Sequence, residues 1–395
     1  MITCPGFKKS AVLTAGLFFC CARGFAAAPP DGGFSVVFRL SKGFAVEDLA
    51  ASLRGQFPGI TVEAVVGDVF EAKIKSGRAG SGRELAEKIA DSPMVAAAQL
   101  QEPSAPPELD AQADNSDGSW FISKIQAPLF WEKSKGSRSV SVLVCDTGIE
   151  SGHPDLRGNI GAGMNFADGS GNTEPTGNGH GTRIAGLIGA QGGHTGAGAS
   201  GVNWEVRIVP GKITNKPDGA VDHVVSAKCI KWGADQGIKV VNLSFSGAVN
   251  NLAVQEAAEY IYQRGGILVV SSGNKGEHPD YPDDPHMIVV GGTNSLDWRP
   301  PAYNTGKFVD LSAPASGLYT TDAGGKYVTT NGTSLSAAVV SGAAALILSV
   351  KPDLTAQQLI DLLLASTADL GAPGRDEIFG AGRLDLKKTL ELLKL

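Results

Sequence analysis

The segment Ser139–Glu150 (SVSVLVCDTGIE) is a nearly continuous apolar run that ends on an acidic residue and a glycine. Such a run is typical of a parallel strand that is buried on both faces of its sheet. Similar runs follow along the chain, at Val206–Val209, Lys239–Leu243, Ile267–Val270 and Met287–Val290. Helical stretches lie between them, at Val221–Gln236 and Leu252–Arg264. The pattern predicts an α/β fold with a mostly parallel central sheet flanked by helices.

The segment Ser334–Val350 carries almost only small and apolar residues. A helix that is apolar all round is usually buried, so we expect a central helix inside the α/β domain. No second hydrophobic run of the sequence is long enough to cross a membrane, and we expect no stable membrane anchor.

The N-terminus has the pattern of an export signal. Lys8 and Lys9 precede the apolar run Ala11–Ala22, and small residues follow at Ala26–Ala28. We therefore predict a signal peptide at residues 1–28 and secretion, to the periplasm or the extracellular medium. An ordinary buried helix is the alternative. A lipoprotein anchor at Cys20 or Cys21 is disfavoured, because the preceding Phe18–Phe19 is bulky.

Residues 29–101 form a separate domain in this interpretation. Strand and helix patterns alternate from residue 34 as β-α-β-β-α-β, which predicts a small α+β, ferredoxin-like sandwich. Residues 102–117 contain three prolines and five acidic residues and have no apolar periodicity. We expect an exposed linker there with a processing site. Residues 118–395 are then the α/β domain.

Charge and cysteine content limit the partners and the disulfide bonds that we expect. The formal net charge is -6 and no basic stripe is present, so we expect no nucleic-acid partner. Removal of a signal peptide leaves Cys145 and Cys229. One bridge between them is allowed, but Cys145 falls inside an apolar strand, and we expect two buried free thiols.

Three short segments carry residues that are candidates for a functional site. Asp146 ends a buried strand, and ligands bind outside the carboxyl ends of such strands. His180 lies between two glycines in NGHGTRIAG, and Ser334 opens the buried helix in NGTSLSAAVVSG. Taken singly, these residues are typical of a turn, a structural histidine and a helix N-cap.

Taken together, the three segments resemble the subtilisin-like serine proteases (subtilases, peptidase S8 family), in which Asp, His and Ser follow in this order. The resemblance extends over residues 118–395 through five further motifs, HPDL (His153–Leu156), VNLSFSG (Val241–Gly247), SSGN (Ser271–Asn274), LSAP (Leu311–Pro314) and FGAGRLD (Phe379–Asp385). It implies a subtilisin-like fold and a secreted serine endopeptidase that acts on polypeptides.

The resemblance also implies a role for each residue. Ser334 is the nucleophile, His180 its general base, and Asp146 the group that orients the imidazole. The side-chain amide of Asn274 is one oxyanion donor, and backbone N–H groups at the start of the helix supply another. The alternative for Asn274 is a turn residue after Gly273.

The substrate cleft is implied in the same way. Its residues are Gly219, Ala220 and Val221 on one backbone edge, Ser244, Phe245, Ser246 and Gly247 on the other, and Ser271, Ser272 and Gly273 along the pocket wall. Both edges are expected to pair with an extended substrate. Asp280 falls at the base of the pocket and would favour Lys or Arg in the substrate. The alternative for Asp280 is a solvated acidic loop.

Two positions depart from the family pattern, Arg183 in place of the usual histidine and Ala338 in place of a frequent proline. Neither supplies an atom of the triad. Asp155 resembles a metal ligand of the family, which makes a structural calcium ion an open expectation. The chemistry itself needs no cofactor.

The resemblance gives residues 29–101 a role as a propeptide that inhibits its own enzyme until the linker is cut. An unrelated binding domain that stays attached is the alternative. A catalytically silent subtilase-fold binding protein is the rival function, but it would be expected to lose Asp146, His180, Ser334 or Asn274. A lipase or esterase would need a G-x-S-x-G elbow and the order Ser, Asp, His, which this sequence lacks.

Overall fold

A computed structural model describes residues 33–74, 81–101, 104, 118–192 and 198–395. The predicted signal peptide and most of the predicted linker lie outside these residues. Contacts divide the chain into two compact units, one ending at Leu100 and one beginning at Gln101, with Val65–Gly67 grouped with the second.

The first unit has the element order that the sequence predicts. Its elements are β1 (Phe34–Leu40), α1 (Val46–Gln56), β2 (Thr61–Val66), β3 (Val69–Ile74), α2 (Ser81–Ala90) and β4 (Val95–Leu100). The strands form one sheet in the order β2-β3-β1-β4, with β1 antiparallel to both neighbours. The buried residues of α1, Leu49, Ala50 and Leu53, recur at helical spacing. Leu49 and Leu53, together with Phe38 and Leu85, belong to a core of this unit's own.

The second unit is built on a sheet of nine strands within the described residues. These strands are β5 (Gly136–Asp146), β6 (Met164–Asn165), β7 (Glu205–Lys212), β8 (Val240–Leu243), β9 (Ile267–Ser271), β10 (Met287–Thr293), β11 (Leu311–Pro314), β14 (Thr367–Ala368) and β15 (Arg383–Leu384). Their order is β14-β15-β11-β10-β9-β8-β5-β7-β6, and the pairs are parallel except β14–β15. The predicted α/β fold with a mostly parallel central sheet is therefore confirmed.

A separate hairpin and the remaining helices complete this unit. The hairpin is β12 (Leu318–Asp322) with β13 (Lys326–Thr330). The helices are α3 (Trp120–Lys124), α4 (Ala127–Trp131), α5 (His180–Gly189), α6 (His223–Asp235), α7 (Leu252–Tyr262), α8 (Thr333–Val350), α9 (Ala356–Ala365) and α10 (Leu386–Leu393). Four of them, α6, α7, α9 and α10, begin on a side-chain cap, which is supplied by Asp222, Asn251, Thr355 and Asp385 in turn.

Helix α8 is the central buried element that its composition predicts. It packs against β5, β8, β9, β10 and β11, and its residues are buried from Thr333 to Leu348. Within the described part of the chain it is long and apolar enough to cross a membrane, but 89% of it is buried inside the protein. We therefore interpret it as a core helix.

The prediction of two free thiols is wrong. Cys145, at the end of β5, forms a disulfide with Cys229 in α6, with a Cα–Cα distance of 6.3 Å. Both residues are fully buried. Gly211 in the neighbouring β7 leaves room for the bridge, because a Cβ there would lie 2.4 Å from the Cys229 sulfur. The packing of α6 over this part of the sheet brings the two cysteines together, and sequence spacing does not reveal that packing.

Candidate active site

Asp146 and His180 meet at the carboxyl end of the central strand. Asp146 ends β5, His180 begins α5, and both side chains are buried. His180 Nδ1 lies 2.8 Å from Asp146 Oδ1 and 3.0 Å from Oδ2. Asp146 Oδ1 also accepts a hydrogen bond from Thr147 N at 2.7 Å. A carboxylate on the Nδ1 side leaves Nε2 as the ring's proton acceptor. That buried Nε2 makes no hydrogen bond to any described residue.

Ser334 lies at the entrance to α8, as the second residue of the helix. The N-cap position belongs to Gly332, whose φ of +140° disfavours a residue with a Cβ. The N-cap interpretation of Ser334 is therefore wrong by two positions. Ser334 Oγ donates to the backbone oxygen of Ser244 at 3.2 Å, and Ser244 Oγ donates to the backbone oxygen of Ser334 at the same distance. Ser244, which we predict on a substrate edge, thus also fixes the serine.

The side chain of Asn274 is held by its oxygen. Asn274 Oδ1 accepts hydrogen bonds from Thr333 N at 2.9 Å and from Thr333 Oγ1 at 2.8 Å. Its Nδ2 is buried and has no hydrogen-bond partner among the residues that the structure describes. An amide held in this way keeps an unsatisfied donor for a ligand oxygen, which is the property of an oxyanion donor.

Two supporting residues were missed in the sequence. Thr333 Oγ1 accepts from Gly273 N at 3.1 Å and so joins the Ser271–Gly273 segment to the start of α8. Asn304, which is buried, donates its N–H to Gly273 O at 2.9 Å and accepts from Lys275 N at 3.1 Å. The position of Thr333 next to Ser334 was a usable indication, whereas nothing around Asn304 points to a site.

Both predicted substrate edges contact the segment that follows the first unit. Ser104 and Val221 form an antiparallel bridge, with N–H···O distances of 3.1 Å in both directions. Ser104 Oγ donates to Ser246 O at 2.5 Å, and Asn251 Nδ2 donates to Gln101 Oε1 at 3.1 Å. Ser104 therefore bonds to backbone groups on both edges, as a residue of an extended peptide would.

The position of Asp280 differs from the prediction. Its side chain is 84% exposed and forms an ion pair with Lys307, which holds the pKa of Asp280 below its usual value. Nearby Asp283 pairs with Arg375. A solvated carboxylate with its own lysine is not the base of a partly desolvated pocket, and the acidic-loop alternative describes the segment better.

Asp155 is already bonded within the protein. Its Oδ2 accepts from Ala199 N at 2.8 Å. Asp155 is also hydrogen-bonded to Tyr327. The pKa of Tyr327 is raised to about 12, mainly by burial of the phenol and to a smaller extent by this hydrogen bond. No group of three or more acidic, histidine or cysteine side chains placed to hold a metal occurs within the described ranges. Residues 193–197 lie outside those ranges, so the calcium site stays a prediction.

Arg183, which stands where the family usually has histidine, forms an ion pair within the protein. Arg183 Nε lies 2.8 Å from Asp322 Oδ1, at the end of β12. Thr321 in the same strand donates its hydroxyl to Thr182 O at 2.7 Å. The β12–β13 hairpin therefore braces the first turn of α5, which carries His180. Ala338 is buried inside α8, where alanine suits the helix interior.

Comparison with known proteins agrees with this geometry. The peptidase S8 model, described as the subtilase family, matches residues 137–382. Thermitase of Thermoactinomyces vulgaris is 35% identical, over 57% of this chain and 80% of its own. A subtilisin of Bacillus pumilus is 31% identical, over 64% of this chain and 92% of its own. The crystal structure of a lanthipeptide protease aligns with a TM-score of 0.61 and 25% identity, covering 70% of this chain and 94% of that one. The chain therefore belongs to the subtilase family of serine proteases.

Proposed function

We propose that this subtilase is a secreted serine endopeptidase, made as a zymogen that processes itself. The observation that carries the proposal is that two side chains each keep one buried nitrogen without a hydrogen-bond partner among the described residues. His180 is held by Asp146 through Nδ1 while its Nε2 makes no hydrogen bond to a described residue. Asn274 Nδ2 is a buried donor that likewise makes no hydrogen bond to a described residue.

The proposed chemistry follows from these positions. Ser334 attacks the peptide carbonyl, and His180 Nε2 takes the serine proton and later gives it to the leaving amine. Asp146 keeps the imidazole in the required tautomer and stabilises the imidazolium. Asn274 Nδ2 and the backbone N–H groups at the start of α8 bind the oxyanion, where the positive helix end also favours negative charge. A Ser334 hydroxyl that rests on Ser244 O is compatible with this scheme, because catalytic hydrogen bonds often form only in the substrate complex.

The zymogen part of the proposal is supported by Gln101 and Ser104. In this proposal residues 29–101 are a propeptide, and the chain that follows them occupies the cleft in the manner of a substrate. The bridge between Ser104 and Val221 and the bond from Ser104 to Ser246 are the contacts that support it. Cleavage within residues 102–117 would release the mature enzyme.

Export is supported by two independent features. The first is the sequence pattern of residues 1–28, which lies outside the described residues. The second is the Cys145–Cys229 disulfide, since such bonds persist in oxidising compartments. We therefore include the periplasm or the extracellular medium in the proposal.

Intact mass spectrometry of the purified precursor tests the function. We expect the wild type to shorten by a cut within residues 102–117, and Ser334→Ala to stay whole. Ser139→Ala, an exposed serine in β5, is the matched control and should shorten like the wild type. Parallel samples with and without calcium test the metal prediction.

Two results would contradict the proposal. If neither protein shortens and the wild type ignores a serine-directed phosphonate probe, the silent binding protein becomes the better interpretation. If wild type and Ser334→Ala shorten alike, Ser334 is not the nucleophile of the cut.

A further inference from the structure

Asn242 is a polar residue in the middle of a buried apolar strand. It belongs to β8, whose four residues are all fully buried and are otherwise two valines and a leucine. Asparagine is depleted in strands, and burial of its amide costs free energy unless the amide is hydrogen-bonded. The chemistry proposed above does not use this side chain, so its presence in β8 calls for a physical explanation.

The Asn242 amide is hydrogen-bonded at both ends. Its Nδ2 donates to Ser341 Oγ in α8 at 3.1 Å, and its Oδ1 accepts from Ser244 Oγ at 2.9 Å. Ser341 Oγ in turn donates to the backbone oxygen of Ala337, one turn earlier in the same helix, at 2.8 Å. All of these side chains are fully buried. They form a hydrogen-bonded network of the kind that holds its members in one arrangement.

The network reaches the proposed nucleophile through Ser244. The hydroxyl hydrogen of Ser244 is shared between Asn242 Oδ1 and the backbone oxygen of Ser334, which lies 3.2 Å from Ser244 Oγ. The backbone oxygen of Ser244 accepts from Ser334 Oγ, also at 3.2 Å. Ser244 therefore contacts both the main chain and the side chain of Ser334, and Asn242 helps to determine where the Ser244 hydroxyl lies.

Two regular spacings bring these residues together. Asn242 and Ser244 are two positions apart at the end of a strand, which allows both side chains to face α8. Ser334 and Ser341 are seven positions apart in α8, which is about two helical turns, so they lie on the same face of the helix. Helix α8 packs against β8. The strand is thus joined to α8 at two places, one of which is the nucleophile.

We infer that Asn242 is a positioning residue of the proposed protease: held by Ser341, it fixes the Ser244 hydroxyl and thereby the orientation of Ser334. This inference rests on the proposed endopeptidase function. Attack on a carbonyl carbon tolerates little misplacement of the serine oxygen, and a displacement of about 1 Å costs about 100-fold in rate. Because the network acts on Ser334 through Ser244, its loss lowers kcat and leaves KM nearly unchanged.

Steady-state kinetics on one peptide substrate test the positioning role. We expect Ser341→Ala, which removes the acceptor of the Asn242 amide, to lower kcat by about fivefold with little change in KM. The rate of its reaction with a serine-directed phosphonate, which also requires attack by Ser334, should fall by a similar factor.

Ser349→Ala is the matched control. Ser349 also lies in α8, and its hydroxyl likewise bonds back to the helix, at Leu346 O, and to a side chain of another segment, Ser134. It lies at the opposite end of α8 from Ser334, so this variant should keep the wild-type kcat. Urea unfolding of both variants, measured in parallel, separates a loss of stability from a loss of positioning.

A double-variant cycle tests whether the effect of Ser341 passes through Asn242. Asn242→Leu keeps a similar side-chain volume and should lower kcat by about 10- to 100-fold. Adding Ser341→Ala to Asn242→Leu should then cause no further loss, because the partner of Ser341 is already gone. A further fivefold loss in the double variant would contradict the network. If Asn242→Leu does not fold, the comparison of Ser341→Ala with Ser349→Ala decides alone.

The inference is overturned if Ser341→Ala keeps the wild-type kcat and phosphonate rate, or if its loss lies in KM alone. A wild type that cuts no peptide is a visibly different result, because the endopeptidase function itself then fails and the inference falls with it.

Discussion

At the scale of the single residue, the position of Asn274 depends on Thr333. The hydroxyl of Thr333 donates to Asn274 Oδ1 and accepts from Gly273 N, while its backbone N–H also donates to Asn274. One threonine therefore orients the amide and fixes the segment that carries it. Because Thr333 directly precedes Ser334, the same turn of backbone positions both the proposed nucleophile and the proposed oxyanion donor.

Substituting Asn274 and Thr333 in turn should separate two effects: binding of the oxyanion by the Asn274 amide, and orientation of that amide by Thr333. We expect Asn274→Leu to lower kcat by about 10²- to 10³-fold, since it removes a transition-state donor. Thr333→Val keeps the backbone bond and should lower kcat by about tenfold with little change in KM. Steady-state kinetics on one peptide substrate measure both effects. Thr329→Val, at an exposed threonine of β13, is the control. A Thr333→Val enzyme whose loss lies in KM would contradict the orienting role.

At the scale of the element, a buried carboxyl group joins two neighbouring strands. Asp310 immediately precedes β11, and its Oδ2 accepts from Val289 N in β10 at 2.8 Å. Arg375 lies 3.0 Å from its Oδ1. Burial raises the pKa of Asp310 to about 7, Asp283 and Asp284 raise it further, and the bond from Val289 and the charge of Arg375 oppose the rise. This junction between strands is therefore sensitive to pH.

The raised pKa predicts a pH-dependent stability. Between about pH 4 and 7 the native state binds more protons at Asp310 than the unfolded chain, so the free energy of unfolding falls as pH rises, and the effect levels off above pH 7. We expect Asp310→Asn to remove this fall, which amounts to at most about 4 kcal/mol across the window. Urea unfolding at pH 4.5, 6 and 8 measures it. Exposed Asp353→Asn is the control, and equal slopes for wild type and Asp310→Asn would contradict the prediction.

At the scale of the whole molecule, the disulfide encloses much of the proposed site. Cys145 adjoins Asp146, and Cys229 lies in the helix that follows the Val221 edge. The two cysteines are 84 residues apart in sequence, and the loop between them contains His180. Crosslinking so long a loop restricts the unfolded chain strongly.

Removing the bridge should therefore cost stability more than chemistry. We expect the Cys145→Ala/Cys229→Ala double variant to lose about 4–5 kcal/mol in the free energy of unfolding. Its kcat at 25 °C should stay close to that of the wild type while it remains folded, because both cysteines are fully buried. Urea unfolding and steady-state kinetics measure these quantities. Peptide mapping without reductant is the control for the bond, and two free thiols in the wild type would contradict it.

The limits of prediction from the sequence follow from the range of the interactions. Buried parallel strands and helix α8 were predictable because burial on all sides produces continuous apolar segments. The residues proposed for catalysis were predictable because short glycine-rich motifs surround them. Asn304 and the Cys145–Cys229 bond depend on distant segments packing together, which leaves no local pattern. Asp280 was placed by resemblance in a loop, where its pairing with Lys307 could not be foreseen.

The burial of α8 determines how such a protein loses activity. Its first turn carries Ser334 and Thr333, while the rest of the helix fills the space beside five strands. The proposed nucleophile is thus attached to a core element, and core elements open mainly in global unfolding. Partial opening of surface loops leaves Ser334 in place, whereas an event that displaces it also unfolds the core. Displacement of Ser334 and loss of the fold are consequently one cooperative event.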